Sequence, residues 1–228
     1  MLRMFIAAVV CLTPLAAAAA PCPGNPDALG TERVMIVDAA STPEVLAALK
    51  HECVKATFFL VGRNVAAHPA LARRELADGH SIGNHTYSHP LLNHLKLAKA
   101  EAEIARGFAA DNLALYGGAS SAPTSPFFRF PGFASSPALL DWLQARGTVV
   151  FGADVWASDW NEMTPDFELT RLMRRIAKVG RGIVLLHDTK AETARMLPAF
   201  LRALKKDGYR IVHVVPAASA PPARPMTN

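Results

Sequence analysis

The sequence predicts an α/β protein in which short parallel strands alternate with helices. Seven apolar runs of four to seven residues are rich in β-branched or aromatic residues and are bounded by Gly, Pro or Asp, as is typical of buried strands. Between them, apolar residues recur at helical spacing, for example at Leu169, Leu172 and Ile176. This alternation indicates a parallel sheet covered by helices, either closed as a barrel or left open.

The predicted elements occupy the chain from residue 33 to residue 215. The strands are Arg33–Val37, Ala56–Val61, Ser81–Asn84, Phe127–Phe130, Val149–Val155, Gly182–Leu186 and Arg210–Val215. The helices are Thr42–His51, Ala66–Ala77, Leu91–Leu113, Ser136–Arg146, Pro165–Val179 and Thr193–Lys206. Pro follows Ser136 and Thr164, which places it at the first helical position. Gly79, Gly147 and Gly208 fall where helices are expected to end.

The two ends of the chain differ in composition from its centre. A basic residue near the start, an apolar run over residues 4–15 and small residues over 16–20 are together typical of a secretory signal peptide. The apolar run is shorter than the roughly 20 residues that cross a bilayer, so we expect no integral membrane span. We expect residues 1–20 to be removed on export to the periplasm or the extracellular space, residues 21–215 to form one domain, and the Ala/Pro-rich residues 216–228 to be disordered. A lipid anchor on Cys22 is the alternative.

Two cysteines remain once the signal peptide, which contains Cys11, is removed. They are Cys22 and Cys53. In an oxidising compartment two cysteines usually pair, so a structural disulfide is predicted, with two free buried thiols as the alternative.

The charge and the length of the chain exclude some classes of function. The formal net charge of +5 is a mild excess, and no basic run with interleaved aromatic residues is present, so nucleic acid is not an expected partner. The 228 residues suit one domain with a sizeable core, and we expect a monomer.

Polar residues follow four of the predicted strands, where functional residues of parallel α/β folds are found. His85 and His89 are four residues apart, which on one helical turn points both rings the same way, and imidazole nitrogens suit zinc. Two ligands do not complete a metal site. Arg129 at a strand end can hold a carboxylate bidentately, or it can be a surface residue on a turn.

The other two clusters contain a Trp and a His. Trp156 and Trp160 follow an apolar run and can form a wall for a sugar ring or simply pack. His187 leaves a buried strand and is well placed to protonate a leaving group, although a single His in such a position is more often structural.

The four clusters together resemble the polysaccharide deacetylases with a NodB homology domain. His85–His89 (H-T-Y-S-H) match the family motif H-T/S-x-S/T-H, Arg129–Pro131 match the start of the R-x-P-Y/F motif, and Val184–Asp188 match L-x-L-H-D. Asp159 and Trp160 match the end of the D-x-x-D-W motif, and Trp156 stands where its first Asp belongs. The resemblance extends over residues 33–215 with the motifs in family order.

This resemblance implies a fold, a cofactor and a reaction. The fold would be a distorted (β/α) barrel, complete or incomplete, with about seven parallel strands. His85 and His89 would bind Zn²⁺ or another divalent transition metal. The reaction would remove acetyl groups from polysaccharides or oligosaccharides that contain N-acetylglucosamine, such as chitooligosaccharide or peptidoglycan. His187 would protonate the departing amine, Asp159 would tune His187, and Arg129 would orient the catalytic carboxylate.

One family motif is absent from the sequence. T-F-D-D-G-P supplies the base and the third metal ligand in the family, whereas this chain has Asp38 followed by Ala39 and Ala40. In one interpretation Asp38 is a displaced remnant of the motif and can still bind the metal. In the other, which the sequence favours, Arg33–Asp38 is an extra strand. The strand that carries the motif would then have been lost in a deletion of roughly 25 residues, which is enough to include one strand of about 17–20 Å.

Three functions are compatible with this departure. The chain is an N-deacetylase, an inactive relative that binds glycans, or the product of a deletion in a deacetylase gene. With a single carboxylate in place of two, we expect deacetylase turnover to be absent or orders of magnitude below that of an intact relative.

Overall fold

The structure is a computed structural model that describes residues 42–118, 120, 125–187 and 189–216, together with the backbone of residues 33–38. The predicted signal peptide, Cys22, Asp188 and residues 217–228 of the predicted disordered tail lie outside the described residues.

The strands form one sheet in which every pairing is parallel. They are β1 (Arg33–Asp38), β2 (Thr57–Leu60), β3 (Ser81–Asn84), β4 (Phe127–Phe128), β5 (Val149–Val150), β6 (Val155–Trp156), β7 (Gly182–Leu186) and β8 (Arg210–Ile211). Hydrogen-bonded neighbours follow the order β5-β4-β3-β2-β1-β7-β6, and β8 pairs with the start of β1. The predicted α/β class with parallel strands is therefore confirmed.

Helices connect the strands. They are α1 (Pro43–His51), α2 (Gly62–Ala67), α3 (Pro69–Ala77), α4 (Leu97–Tyr116), α5 (Pro137–Gln144), α6 (Pro165–Val179) and α7 (Ala191–Lys206), with 3₁₀ turns at Leu92–His94 and Pro131–Phe133. Thr42, Ser136 and Thr164 cap α1, α5 and α6, because each side chain accepts a hydrogen bond from a backbone N–H three residues later. The predicted helix over residues 66–77 is divided at His68, since Pro69 removes a backbone donor and begins a new helix.

The predicted strand Val149–Val155 is also divided, and its halves lie at the two edges of the sheet. Phe151 N donates to Phe128 O on β4 (2.8 Å), and Asp154 N donates to Ile183 O on β7 (2.9 Å). The short segment 151–154 thus crosses from one edge strand to the other. The sheet must curl for its edges to approach this closely, which gives the barrel-like, distorted arrangement that the resemblance implies.

Strand β1 lies between β2 and β7. Asp38 is in register with Phe58 on β2 and with Leu186 on β7, so its backbone is beside the residue that precedes His187. The direct pairing of β1 with β2 fits Asp38 as a remnant of the motif. Strands on the two sides of a deletion also become neighbours, so the interpretation that a strand has been lost stays a prediction. The side chain of Asp38 lies outside the described residues.

Two apolar layers surround the sheet and a third fills its interior. The larger layer packs α1, α6 and α7 on the sheet and includes the fully buried Leu46, Leu172 and Phe200. The interior holds Phe59 and Phe127. Gly83 is required beside them, because a Cβ there would come within 2.6 Å of the Phe59 ring. The interior therefore has a rigid aromatic base beneath the carboxyl ends of the strands.

In the part of the chain that the structure describes, we find no helix with the length and apolar character needed to cross a membrane.

The pairing of Cys22 with Cys53 stays a prediction, since Cys22 lies outside the described residues. Cys53 follows the end of α1 and has φ of 54°. If the bridge forms, the mass of the exported protein is expected to be lower than that of its reduced form by the mass of two hydrogen atoms. Intact mass spectrometry without reductant measures this difference. A Cys22→Ser variant serves as the control, and two thiols that react with iodoacetamide before reduction would contradict the bridge.

Candidate active site

The carboxyl ends of the strands surround a cavity of about 430 Å³. It is lined by His85, His89, Arg129, Phe130, Gly132, Phe133, Trp156, Trp160, Leu185 and His187. Four of the five site residues expected from sequence thus share one cavity, and the fifth, Asp159, contacts His187. The strand-end position of each residue was sufficient to predict that they meet.

His85 is the most buried of the cavity histidines, at 4% exposure. Its Nδ1 lies 2.8 Å from Arg129 O. Because a carbonyl oxygen only accepts, Nδ1 carries the proton and Nε2 retains its lone pair. Burial, helped by the neighbouring His89, lowers the pKa of His85 to about 3, so the ring is neutral at neutral pH. A neutral imidazole with a fixed tautomer is the form that binds metal ions.

His89 faces His85 from a loop rather than from the helical turn that the spacing suggested. The ring centroids are 4.7 Å apart with an interplanar angle of 71°. Thr86 and His89 have φ of 67° and 65°, which is uncommon for residues other than Gly. Asn84 Oδ1 accepts from Thr86 N (2.9 Å), and Thr86 Oγ1 accepts from His89 N (3.0 Å). These bonds hold the loop in a strained shape that brings the rings together.

Helix α4 supports this loop in a way that sequence reasoning missed. Asn84 Nδ2 donates to Asp111 Oδ2 at 2.6 Å, and burial raises the pKa of Asp111 well above its usual range. A Cβ on Gly107 would lie 2.7 Å from the Asn84 side chain and from the Thr86 backbone. The close approach of α4 to the loop therefore needs Gly at this position. This role of Gly107 is visible only in the folded structure, because the loop and α4 are far apart in sequence.

Arg129 is buried at 2% exposure, which excludes the surface-residue alternative. Its Nη2 donates to Gly152 O at 2.9 Å, and its guanidinium carbon lies 4.6 Å from the centroid of the Phe59 ring. The residue is thus held between the segment that joins the sheet edges and the aromatic base of the barrel. A charge fixed in such surroundings is suited to orient an anionic group.

His187 and Asp159 form a hydrogen-bonded pair at the end of β7. Asp159 Oδ1 lies 2.9 Å from His187 Nδ1, and Asp159 Oδ2 accepts from His187 N at 2.6 Å. A carboxylate accepts, so Nδ1 of His187 carries the proton and Nε2 is the atom that can exchange one. Ser158, which precedes Asp159, has φ of 63°. The pair has the geometry of a general acid–base and the carboxylate that orients it.

Two further residues behind this pair were not expected from sequence. Thr193 Oγ1 lies 3.3 Å from Asp159 Oδ2 and 3.1 Å from Glu168 Oε1. Glu168 is fully buried, and burial, reinforced by the charge of Asp159, raises its pKa to about 7. In sequence, Glu168 is one of two acidic residues in the first turn of α6, where such residues are ordinary helix-stabilising features. No local pattern distinguishes it.

The raised pKa of Glu168 predicts a pH-dependent stability. The folded protein holds this proton up to about pH 7, whereas the unfolded chain releases it near 4.5. The stabilisation from protonated Glu168 is fully present below pH 4.5 and is lost as pH rises from 4.5 to about 7. The free energy of unfolding therefore falls over this range. Glu168→Gln is expected to match wild type below pH 4.5 and to exceed it above pH 7 in urea denaturation. Glu162→Gln, at an exposed site, is the control, and an equal gain in both variants would contradict the assignment.

Aromatic side chains form much of the cavity wall. The rings of Phe133 and Trp156 are 6.4 Å apart, and the exposed Trp160 meets His187 edge-on at 6.0 Å. The faces of such rings suit the apolar face of a sugar.

The metal ligands are only partly accounted for. Among the residues whose side chains are described, no group of three or more His, Cys, Asp or Glu is arranged to hold a metal ion. His85 and His89 supply two nitrogen donors, whereas a catalytic zinc site uses three protein ligands. The described side chains therefore do not by themselves complete the site. Two carboxylates near it have side chains that are not described: Asp38, at the end of β1, and Asp188, the residue after His187.

Comparison with known proteins assigns the chain to a family. A family model described as polysaccharide deacetylase matches residues 33–150. The chain belongs to the polysaccharide deacetylase family. It is 33% identical over 178 residues to a peptidoglycan-N-acetylglucosamine deacetylase of Bacillus cereus, a match that covers 74% of this chain and 62% of the relative. The chain thus spans less than two thirds of that relative's length.

Solved structures of deacetylases share the fold. The Bdellovibrio bacteriovorus peptidoglycan deacetylase superposes with a TM-score of 0.73 at 31% identity, covering 82% of this chain and 53% of that one. A family pseudoenzyme from Bacillus anthracis superposes with a TM-score of 0.67 at 26% identity, covering 79% and 63%. A mutant of the latter is described as having restored enzymatic activity. Members of this deacetylase family with the same fold can therefore be inactive.

Proposed function

We propose that this chain is an exported N-deacetylase of polysaccharides that contain N-acetylglucosamine, with peptidoglycan as the favoured substrate over chitooligosaccharide. It would hydrolyse the C–N bond of the acetamido group, releasing acetate and a free amine. The observation that carries the proposal is the single cavity in which His85, His89 and Arg129 meet the His187–Asp159 pair. The similarity to peptidoglycan deacetylases supports the substrate class.

The described residues suggest how the reaction proceeds. Water adds to the acetyl carbon and gives a proton to the general base, a role we assign below to Asp38. The C–N bond then breaks, and the departing amine takes a proton from Nε2 of the charged His187. Asp159 keeps His187 in the required tautomer and stabilises its charged form. Trp160 and Phe133 would pack against the sugar. His85 and His89 would hold a divalent metal ion such as Zn²⁺, which when bound supplies a Lewis acid for the carbonyl and an activated water.

The proposed turnover is low. Among the described residues that line the cavity, none has a carboxylate. We assign Asp38, whose side chain is not described, to serve both as base and as third ligand. A general base is typically worth about 10²–10⁴-fold in rate, and one carboxylate cannot perform both roles as well as two.

A second candidate is a glycan-binding protein without turnover. The incomplete set of described metal ligands favours it, as does the similarity to a family pseudoenzyme. The third possibility from sequence, a deletion product, stays a prediction.

Acetate release from N-acetylglucosamine pentamers and from peptidoglycan, with zinc content measured in the same sample, tests the proposal. Slow release that is lost with a chelator and restored by Zn²⁺ is the expected result. Calorimetric binding of the pentamer with no acetate released would replace the proposal with the glycan-binding function.

A further inference from the structure

A row of buried polar groups extends from His187 into the protein. His187 Nδ1 bonds to Asp159, Thr193 Oγ1 lies 3.3 Å from Asp159 Oδ2, and the same hydroxyl lies 3.1 and 3.3 Å from the two oxygens of Glu168. Asp159, Thr193 and Glu168 are all exposed by 3% or less. The proposed reaction uses only the first two members of this row.

The Thr193 hydroxyl lies between two carboxyl groups but has only one hydrogen to donate. When Glu168 is protonated, its O–H can donate to Thr193 Oγ1, and Thr193 then donates to Asp159 Oδ2. When Glu168 is ionised, it accepts the Thr193 hydrogen and Asp159 loses that donor. The protonation state of Glu168 therefore sets the direction of the Thr193 hydroxyl.

We propose that Glu168 and Thr193 are positioning residues that control how tightly His187 holds its proton. This inference rests on the proposed function, in which His187 protonates the leaving amine. Ionisation of Glu168 adds a negative charge near the His187–Asp159 pair and withdraws a hydrogen bond from Asp159. Both changes favour the charged imidazolium, so ionised Glu168 raises the pKa of His187. By linkage, a charged His187 favours ionisation of Glu168 to the same extent.

The groups around Glu168 are consistent with a transition near neutral pH. Burial and the charges of Asp159 and Glu192 oppose its ionisation, whereas His187 and the Thr193 hydrogen bond favour it. The resulting pKa is about 7. Asp159 and Glu168 also line a second cavity of about 400 Å³ with Glu162, Lys190 and Glu192.

The consequence for catalysis concerns the alkaline side of the pH range. As pH rises through 7, Glu168 loses its proton and His187 retains its own to a higher pH than it otherwise would. The acid needed for the departing amine thus stays charged where an isolated imidazole would be neutral.

Nuclear magnetic resonance titration of the full chain labelled with ¹³C-histidine tests this without requiring turnover. His187 is assigned by the signal missing from a His187→Asn variant. In wild type we expect the His187 signal to titrate in two steps, one of them near pH 7 from Glu168. Glu168→Gln is expected to give a single step with the pKa of His187 lowered by roughly one unit or more. Glu162→Gln, at an exposed carboxylate of the same second cavity, is the matched control and should leave both steps.

Substitutions at Thr193 separate the hydroxyl from the charge. Thr193→Ser keeps the hydroxyl and should behave as wild type, whereas Thr193→Val should diminish the step near pH 7. If Glu168→Gln does not fold, the wild-type curve and the Thr193 pair decide the question. A single wild-type step, or equal curves for Thr193→Ser and Thr193→Val, would overturn the inference. Absence of acetate release would refute the proposed function but leave these shifts unchanged, so the two failures are distinguishable.

Discussion

Replacing Ala39 with Asp is expected to increase acetate release from an N-acetylglucosamine oligomer by about 10²–10⁴-fold. The T-F-D-D-G-P motif of the family has two adjacent carboxylates that share the roles of base and metal ligand, whereas here Asp38 is followed by Ala39. Strand β1 pairs with β2 and β7, which brings the Asp38 backbone beside the residue that precedes His187. A second carboxylate directly after Asp38 therefore restores the missing group at the correct edge of the sheet.

Zinc affinity offers an independent measure of the same change. The Ala39→Asp variant is expected to bind Zn²⁺ more tightly than wild type in a competition assay with a chromogenic chelator, because one of the two carboxylates can then act as third ligand while the other acts as base. Ala40→Asp is the matched control, since it adds the same charge one residue further along the chain. If Ala39→Asp is no more active than Ala40→Asp, or if wild type is already as active as intact relatives, Asp38 is not the remnant of the motif.

Replacing His187 with Gln in the Ala39→Asp background is expected to lower kcat by about 10²–10⁴-fold, because the amine then departs without a proton donor. Gln can still bond to Asp159, so the fold should be retained. The loss should be largest for acetamides and smaller for an activated aryl acetate ester, whose leaving group needs no proton. Comparing kcat for the two substrates measures this difference.

A second histidine provides the control for this experiment. His213 bonds to Ser81 Oγ at 2.9 Å, at the beginning of β3 rather than at its carboxyl end. His213→Gln is therefore expected to leave both rates near those of the parent. Equal losses for amide and ester in the His187→Gln variant would show that His187 is not the acid.

Local patterns were sufficient to predict the α/β class, most element positions and the meeting of the site residues. Strands of buried apolar residues and helices with capping Thr or Ser are encoded within a few neighbours, as at Thr42 and Ser136. Because functional residues of parallel α/β folds lie at the carboxyl ends of the strands, His85 and His187 could be predicted to lie close together without knowledge of the strand order.

Features that depend on distant pairs could not be predicted. The position of β1 is set by pairing with β2 and β7, which no local pattern records. Glu168 has an ordinary place in a helical first turn, and only its contact with Thr193 makes it unusual. The His85–His89 loop was taken for a helical turn because spacing alone does not distinguish a helix from two residues with positive φ.

The place of β1 in the sheet also has a consequence for the order of folding. One neighbour of β1, strand β2, is close in sequence and follows after a single helix. The other neighbours are distant in sequence, since Val34 pairs with Gly182 on β7 and with Ile211 on β8. These contacts have a large sequence separation, which slows folding, and they cannot form until nearly the whole chain is available. The strand made first is thus completed last. Val34, which pairs with β7 and β8, should gain amide hydrogen-exchange protection in refolding only when these C-terminal strands dock, well after β2 and β3 have paired.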